Sequence, residues 1–119
     1  MITKIGTAAV YVSDQPAAEE FWTKKVGFEV AGKKEMGNGL YWLEVAPKGG
    51  QSALVLYPRA IMKDWEGMKP SIVFECDDFD GTYAQLQTRG VKTGEPMNLA
   101  WGKFLEFQDP DGNEFGIRG

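Results

Sequence analysis

The chain has 119 residues, 43% of them hydrophobic and 25% charged, enough for one domain with an ordinary core and the composition of a soluble globule. Thirteen Lys and Arg against seventeen Asp and Glu leave a formal charge of −4. No basic cluster offers a nucleic-acid footprint, and no apolar run approaches the roughly 18 residues of a membrane span. Met1 to Val12 has neither a long apolar stretch nor a small-residue cleavage site, so no secretory signal is expected. The single cysteine, Cys76, has no partner for an internal disulfide, and the location expected is the cytoplasm. Cys76 lies in an apolar, strand-like run and reads as a buried small hydrophobe.

Thr7 to Val12 is short, apolar and rich in β-branched residues, which predicts a strand. Ser13-Asp14 offers a helix N-cap and Pro16 suits the first turn. Ala18, Phe21, Trp22 and Val26 recur at helical spacing, and Gly27 stops the helix. Phe28-Glu29-Val30 begins a strand. Gly37-Asn38-Gly39 turns it into a second, Leu40 to Ala46. Pro47-Lys48-Gly49-Gly50 leads into a third, Ser52 to Tyr57. Arg59 to Lys69, with Met62, Trp65 and Met68, reads as a linker between the halves, with a flap as the alternative. A strand is then expected at Ser71 to Cys76, with a helix after Asp77-Asp78 that carries Phe79, Tyr83 and Leu86 and ends at Gly90. Val91 starts a strand, Lys103 to Gln108 forms the next, Asp109 to Asn113 is a tight turn, and Glu114 to Arg118 closes.

The second half repeats the element order of the first. In that repeat Thr7 falls on Ser71, Asp14 on Asp78 and Glu44 on Glu106. The fold expected is α+β, with two βαβββ modules forming curved mixed sheets around a cleft. It is one domain, 1–119, with modules of about 1–58 and 70–119 and a linker at 59–69.

Five short segments carry a family resemblance. They are Val12-Ser13-Asp14, Phe21-Trp22, Val26-Gly27-Phe28, Phe74-Glu75-Cys76-Asp77-Asp78, and Trp101-Gly102-Lys103 running into Asp109-Pro110-Asp111-Gly112-Asn113. In this order and spacing the whole chain resembles the vicinal oxygen chelate superfamily. That group includes glyoxalase I, bleomycin-resistance proteins, fosfomycin-resistance enzymes and extradiol dioxygenases. The segments are specific for the fold and not for an activity.

The resemblance implies a divalent-metal site of two histidines and one or two glutamates, taken from the first and last strands of each half. This chain has no histidine. The histidine positions fall on Thr7 and Ser71, the final glutamate on Gly116, and its first-half counterpart on Leu54 or Leu56, depending on register. None is a good ligand, so neither a metal nor another cofactor is expected. Strand alternation sets Tyr11, Glu75, Glu114 and Arg118 on the face of Thr7, Ser71 and Gly116. The repeat adds Trp42, Glu44, Phe104 and Glu106 to the cleft side. A displaced all-oxygen site of Glu44, Glu75, Glu106 and Glu114 would suit Mg²⁺, Ca²⁺ or Mn²⁺. The plainer reading leaves these glutamates solvated at strand ends, or paired with Lys103 and Arg118.

Tyr11, Trp42, Phe104 and Trp101 are candidates for an aromatic lining, whereas Phe21 and Trp22 belong to the core. Aromatic walls with a few acids suit a flat or cationic organic molecule. The residues at the ligand positions and along the cleft face together form the candidate ligand-binding set. The leading expectation is a metal-free binding protein of the glyoxalase/bleomycin-resistance type, forming a homodimer as members of the superfamily commonly do. The alternatives are a lyase or isomerase using Glu44 or Glu75 as general base, and a structural or regulatory homodimer module.

Overall fold

The computed structural model describes residues 1–119, which form two compact units, Met1–Lys69 and Pro70–Gly119. In the first, β1 (Thr7–Val12) leads through α1 (Gln15–Glu20) and a π-helical turn (Phe21–Val26) to β2 (Glu29–Gly37), β3 (Leu40–Ala46) and β4 (Ala53–Pro58). These strands make a four-stranded sheet ordered β1-β4-β3-β2. The β1–β4 pair is parallel and the others are antiparallel. The Arg59–Lys69 stretch holds two short 3₁₀ turns, and the Arg59 guanidinium lies 4.2 Å from the centre of the Trp65 ring.

The second unit contains β5 (Val73–Glu75), α2 (Phe79–Thr88), β6 (Lys92–Thr93), β7 (Met97–Leu99), β8 (Gly102–Gln108) and β9 (Glu114–Arg118). Its five-stranded sheet runs β5-β9-β8-β6, with β7 also paired to β8. The β5–β9 pair is again parallel. The expected α+β class and the two mixed sheets are therefore present. Ser71 lies ahead of the paired strand, and β7 was not expected.

Local chemistry accounts for the element ends. Asp14 Oδ1 accepts the Ala17 N–H at 3.1 Å, and Asp78 Oδ1 accepts that of Gly81 at 3.0 Å, so each helix starts on a capping carboxylate. Asn38 and Gly39 both take positive φ, 55° and 73°, as a two-residue hairpin turn requires. The helix expected through Val26 is α-helical only to Glu20 and then widens. Successive residues are separated by a smaller rotation in the wider turn. Two large neighbours, Phe21 and Trp22, both fit inside as a result, with rings edge-to-face at 5.5 Å.

Register decides which side chains enter the core. On β1 and β4, Val10 pairs with Leu56 and Ala8 with Leu54, whereas Thr7, Ala9 and Tyr11 pair with Ala53, Val55 and Tyr57. Residues paired this way share a face of the sheet. Leu54 and Leu56 are 5% and 0% exposed, inside with Val10, Val12, Leu43 and Val45. The expectation that Leu54 or Leu56 holds the first-half counterpart of the Gly116 position is thus corrected, since both lie on the core side of the sheet, opposite Thr7. In the second unit Leu105, Phe107, Phe115 and Ile117 turn inward, and Phe74 stacks on Phe107 and Phe115 at 6.2 and 6.0 Å. Cys76 is half-buried rather than buried, its Sγ 3.6 Å from the Arg118 carbonyl oxygen.

Two buried polar residues hold these layers. Gln15 Nε2 donates to the carbonyls of Tyr41 and Leu56 at 2.7 and 2.8 Å, and its Oε1 accepts the Tyr41 N–H at 3.0 Å. One side chain thus ties the start of α1 to β3 and β4. Gln15→Ala leaves three backbone groups without this partner. It is expected to cost about 2–4 kcal/mol of stability, measured by urea unfolding.

Asp109 anchors the β8–β9 turn. It accepts the N–H groups of Asp111 and Asn113 at 3.0 and 2.8 Å and the Asn113 side-chain amide at 2.9 Å. Burial raises its carboxyl above the ordinary carboxylate value, against the opposing bonds from Asn113. A carboxyl raised in the native state contributes stability that is present below its unfolded value and lost as pH rises through the folded one. Relative to Asp109→Asn, the parent should therefore gain stability as pH falls from 7 toward 4. Paired urea titrations across that range would show a flat difference if the ionised form carried no burden.

Candidate functional site

The open face of the first unit's sheet gathers aromatic rings around one acid. Tyr11 and Tyr57, partners across β1 and β4, meet edge-to-face at 6.1 Å. Trp42 on β3 meets Tyr57 at 5.9 Å. Its indole N–H donates to Glu44 Oε2 at 2.8 Å, which fixes the carboxylate beside the rings. Opposite Glu44 on β2 stands Gly32, whose missing side chain leaves the acid's flank uncrowded. Glu44 is half-buried, and none of the chain's ion pairs includes it. Trp42 remains 38% exposed.

The second unit's open face is built differently. β8 and β9 set Phe104 opposite Arg118 and Glu106 opposite Gly116, while β5 sets Val73 beside Gly116 and Glu75 beside Arg118. The Phe104 ring lies over Gly116. A Cβ at 116 would sit 2.7 Å from its Cζ, 2.8 Å from its Cε1, and 3.3 Å from Val73 Cγ2. Trp101 meets Phe104 at 6.0 Å with its plane turned by 70°. Arg118 bonds Glu75 Oε1 through Nε at 3.1 Å and also through Nη2. Glu75, Cys76, Trp101, Arg118 and Gly119 line an open pocket of about 360 Å³. A smaller one of about 200 Å³ has Glu106 and Glu114 on its wall together with Lys92.

These faces can be tested against the metal that the superfamily implies. Val55 takes in the first unit the place that Gly116 takes in the second. Each pairs with a glutamate on one side (Glu44, Glu106) and with a first-strand residue on the other (Ala9, Val73). Neither supplies a donor, and the Phe104 ring fills the space a side chain at 116 would need. Thr7 and Ser71 offer neutral hydroxyls, poor ligands for a divalent ion. Nor do Glu44, Glu75, Glu106 and Glu114 form the displaced carboxylate site. No three Cys, Asp or Glu side chains converge anywhere in the chain. Glu75 is committed to Arg118, and Glu44 is held by Trp42. The residues present do not fit the metal.

Among the candidates, the structure brings Tyr11, Trp42 and Glu44 together on one sheet. It brings Trp101, Phe104, Gly116, Glu75 and Glu106 together on the other, with Glu114 further along β9. Tyr57 was missed. Its side could not be read from the uniformly apolar run Ala53 to Tyr57 and is set by the parallel register that pairs it with Tyr11.

Comparison with known proteins agrees with this architecture. Residues 4–117 match the Glyoxalase/Bleomycin resistance protein/Dioxygenase superfamily, and the chain belongs to it. It is 56% identical over 119 residues, 99% of each chain, to the uncharacterized protein YetH of Bacillus subtilis (strain 168). Among solved structures it is similar to TnmS3, an antibiotic binding protein from Streptomyces sp. CB03234. That match has 36% identity and a TM-score of 0.86, covering 98% of this chain and 95% of the other. A superfamily member from Sphaerobacter thermophilus DSM 20745 matches at 30% identity and TM-score 0.87, covering 98% and 97%.

The donor chemistry makes a direct prediction. A bound ligand at 100 times its dissociation constant adds about 2.7 kcal/mol of stability. Millimolar Mn²⁺ or Zn²⁺ added to chelator-stripped protein should leave the melting temperature unchanged. A saturable rise with either ion would mean that donors other than those above assemble a site.

Proposed function

We propose that this chain is a metal-free small-molecule-binding protein of the glyoxalase/bleomycin-resistance type, working in the cytoplasm as a homodimer. Its ligand is an organic molecule with an aromatic, cationic part. The observation that carries this is Glu44, a carboxylate held by Trp42 among Tyr11, Tyr57 and Trp42 with no cation paired to it.

A negative charge on the same sheet face as three aromatic rings favours a positive, flat partner on two counts. The carboxylate supplies Coulomb attraction, and the rings add cation–π and stacking contact. An exposed Trp indole loses little freedom on binding because its own hydrogen bond already orients it. The similarity to an antibiotic binding protein supports sequestration of a small organic molecule over its chemical conversion.

Proflavine, a flat aromatic cation, is the probe. Titration followed by its fluorescence should be saturable and should weaken as salt rises. Trp42→Ala and Glu44→Gln should each lower affinity about tenfold, the size of a partly desolvated cation–π or charge contact. Both positions lie on the open face, so the melting temperature should hardly change. Equal proflavine affinity in the parent and Glu44→Gln would remove the cationic reading.

A further inference from the structure

The open face of the first unit carries a second charge near Glu44. Across β1, β4 and β3 the rings of Tyr11, Tyr57 and Trp42 form a row. Lys34 on β2 ends that row, because β2 pairs Lys34 with Trp42 and Gly32 with Glu44. Residues paired this way share a face of the sheet. The irregularities of β2 fall at Val30/Gly32 and Glu35/Gly37, so alternation is unbroken from Gly32 to Glu35. Lys33 bears out the orientation. It turns to the opposite side, where its Nζ reaches Glu19 of α1 at 2.9 Å and lies 4.8 Å from the centre of the Tyr41 ring.

The two neighbouring lysines therefore differ in what they have left to bind. Lys33 is committed to Glu19, whereas Lys34 is exposed and enters none of the chain's ion pairs. Glu44 is bonded to the Trp42 indole and stands diagonally across from Lys34, one register step away. Diagonal neighbours on a sheet lie about 7–8 Å apart, a span that a small aromatic molecule covers. One acid and one base thus flank the same indole. A singly positive ligand over Trp42 satisfies Glu44 and is opposed by Lys34. A ligand positive at one point and negative at another satisfies both.

We propose that the ligand of this face is amphoteric, an aromatic cation that also carries an acidic group. The rings take its aromatic body, Glu44 takes its positive part, and Lys34 takes the anionic group at the sheet edge. Lys34 is thereby a specificity-determining residue. The inference rests on the reading of the Glu44 face as the binding surface, and it narrows the ligand class from cations to those bearing an acid.

Rhodamine 110, an aromatic cation with a carboxylate, tests it against rhodamine 123, its methyl ester, which keeps the cation and loses the acid. The chain carries a formal charge of −4, so attraction to the whole protein would favour rhodamine 123. Fluorescence anisotropy at low ionic strength should instead show rhodamine 110 binding about threefold tighter, the scale of an exposed ion pair. Lys34→Gln should erase that preference without moving the melting temperature, and Lys34→Arg should keep it. Lys24→Gln, the same loss of charge on the π-helical turn, should also keep it. Glu44→Gln should weaken both dyes alike. The proposal is overturned if rhodamine 110 shows no saturable binding, or binds no tighter than rhodamine 123. It is equally overturned if the preference is lost in Lys24→Gln, or survives Lys34→Gln as it would were that lysine only a guard of the sheet edge. If proflavine still binds in a Glu44-dependent way in any of these cases, only the present inference falls. If none of the three dyes binds, the binding-protein reading falls with it.

Discussion

The pairing of each unit's first strand with its last is the constraint on which the remainder depends. β1 lies parallel to β4, and β5 parallel to β9. Neither pair is joined by a tight turn, so no loop geometry sets its register. The core sets it instead. Val10, Val12, Leu54 and Leu56 must all turn to one side, and each contributes about 1.5–3 kcal/mol by leaving water. A slip of one residue would expose the leucines and bury Tyr57. The position of every aromatic and acid on those faces is thus a by-product of packing on the other side of the sheet.

From this shared plan the two units diverge at one register position. Val55 and Gly116 occupy equivalent places, each beside a glutamate. Valine fills its place with its own side chain, and the nearby rings come from Tyr11, Tyr57 and Trp42. Glycine leaves its place empty, and Phe104 from the neighbouring strand moves over it. The acids differ as well. Glu44 keeps its charge uncompensated, while Glu75 shares Arg118. One plan therefore yields a face whose acid has no cationic partner and another whose acid is paired with an arginine.

Much of this was legible in the sequence where a local signal is strong. β1 was bounded correctly because its apolar run stops at Asp14's cap, and β9 because it starts directly after the Asp109–Asn113 turn. The sharing of a face by Glu75, Arg118, Phe104 and Glu106 follows from period-two alternation within each strand together with the repeat between the halves. The side of Leu54 and Leu56 was not legible. Ala53 to Tyr57 is apolar throughout, so it shows no alternation to read, and only pairing with β1 settles it. Gln15 escaped for another reason. A glutamine at the start of a helix looks solvated, and its three bonds go to strands 26 and 41 residues away. The widening of α1 and the short β7 also depend on tertiary contacts that no local window contains.

The absence of metal donors and the presence of braced aromatics are connected physically. A metal site concentrates its free energy in a few donors that must converge on one point, and it demands side chains there. An aromatic face spreads smaller contributions over area and demands that the surface stay flat. The two cannot share one strand position. A carboxylate at 116 would lift Phe104 and unseat Trp101, whereas glycine forfeits the ligand and gains the platform. The residue least able to do chemistry is thus the one that lets Phe104 lie flat and meet Trp101. In the first unit the same division holds with other means, since the indole that bonds Glu44 fixes the acid as a charge beside rings and takes up one of its oxygens.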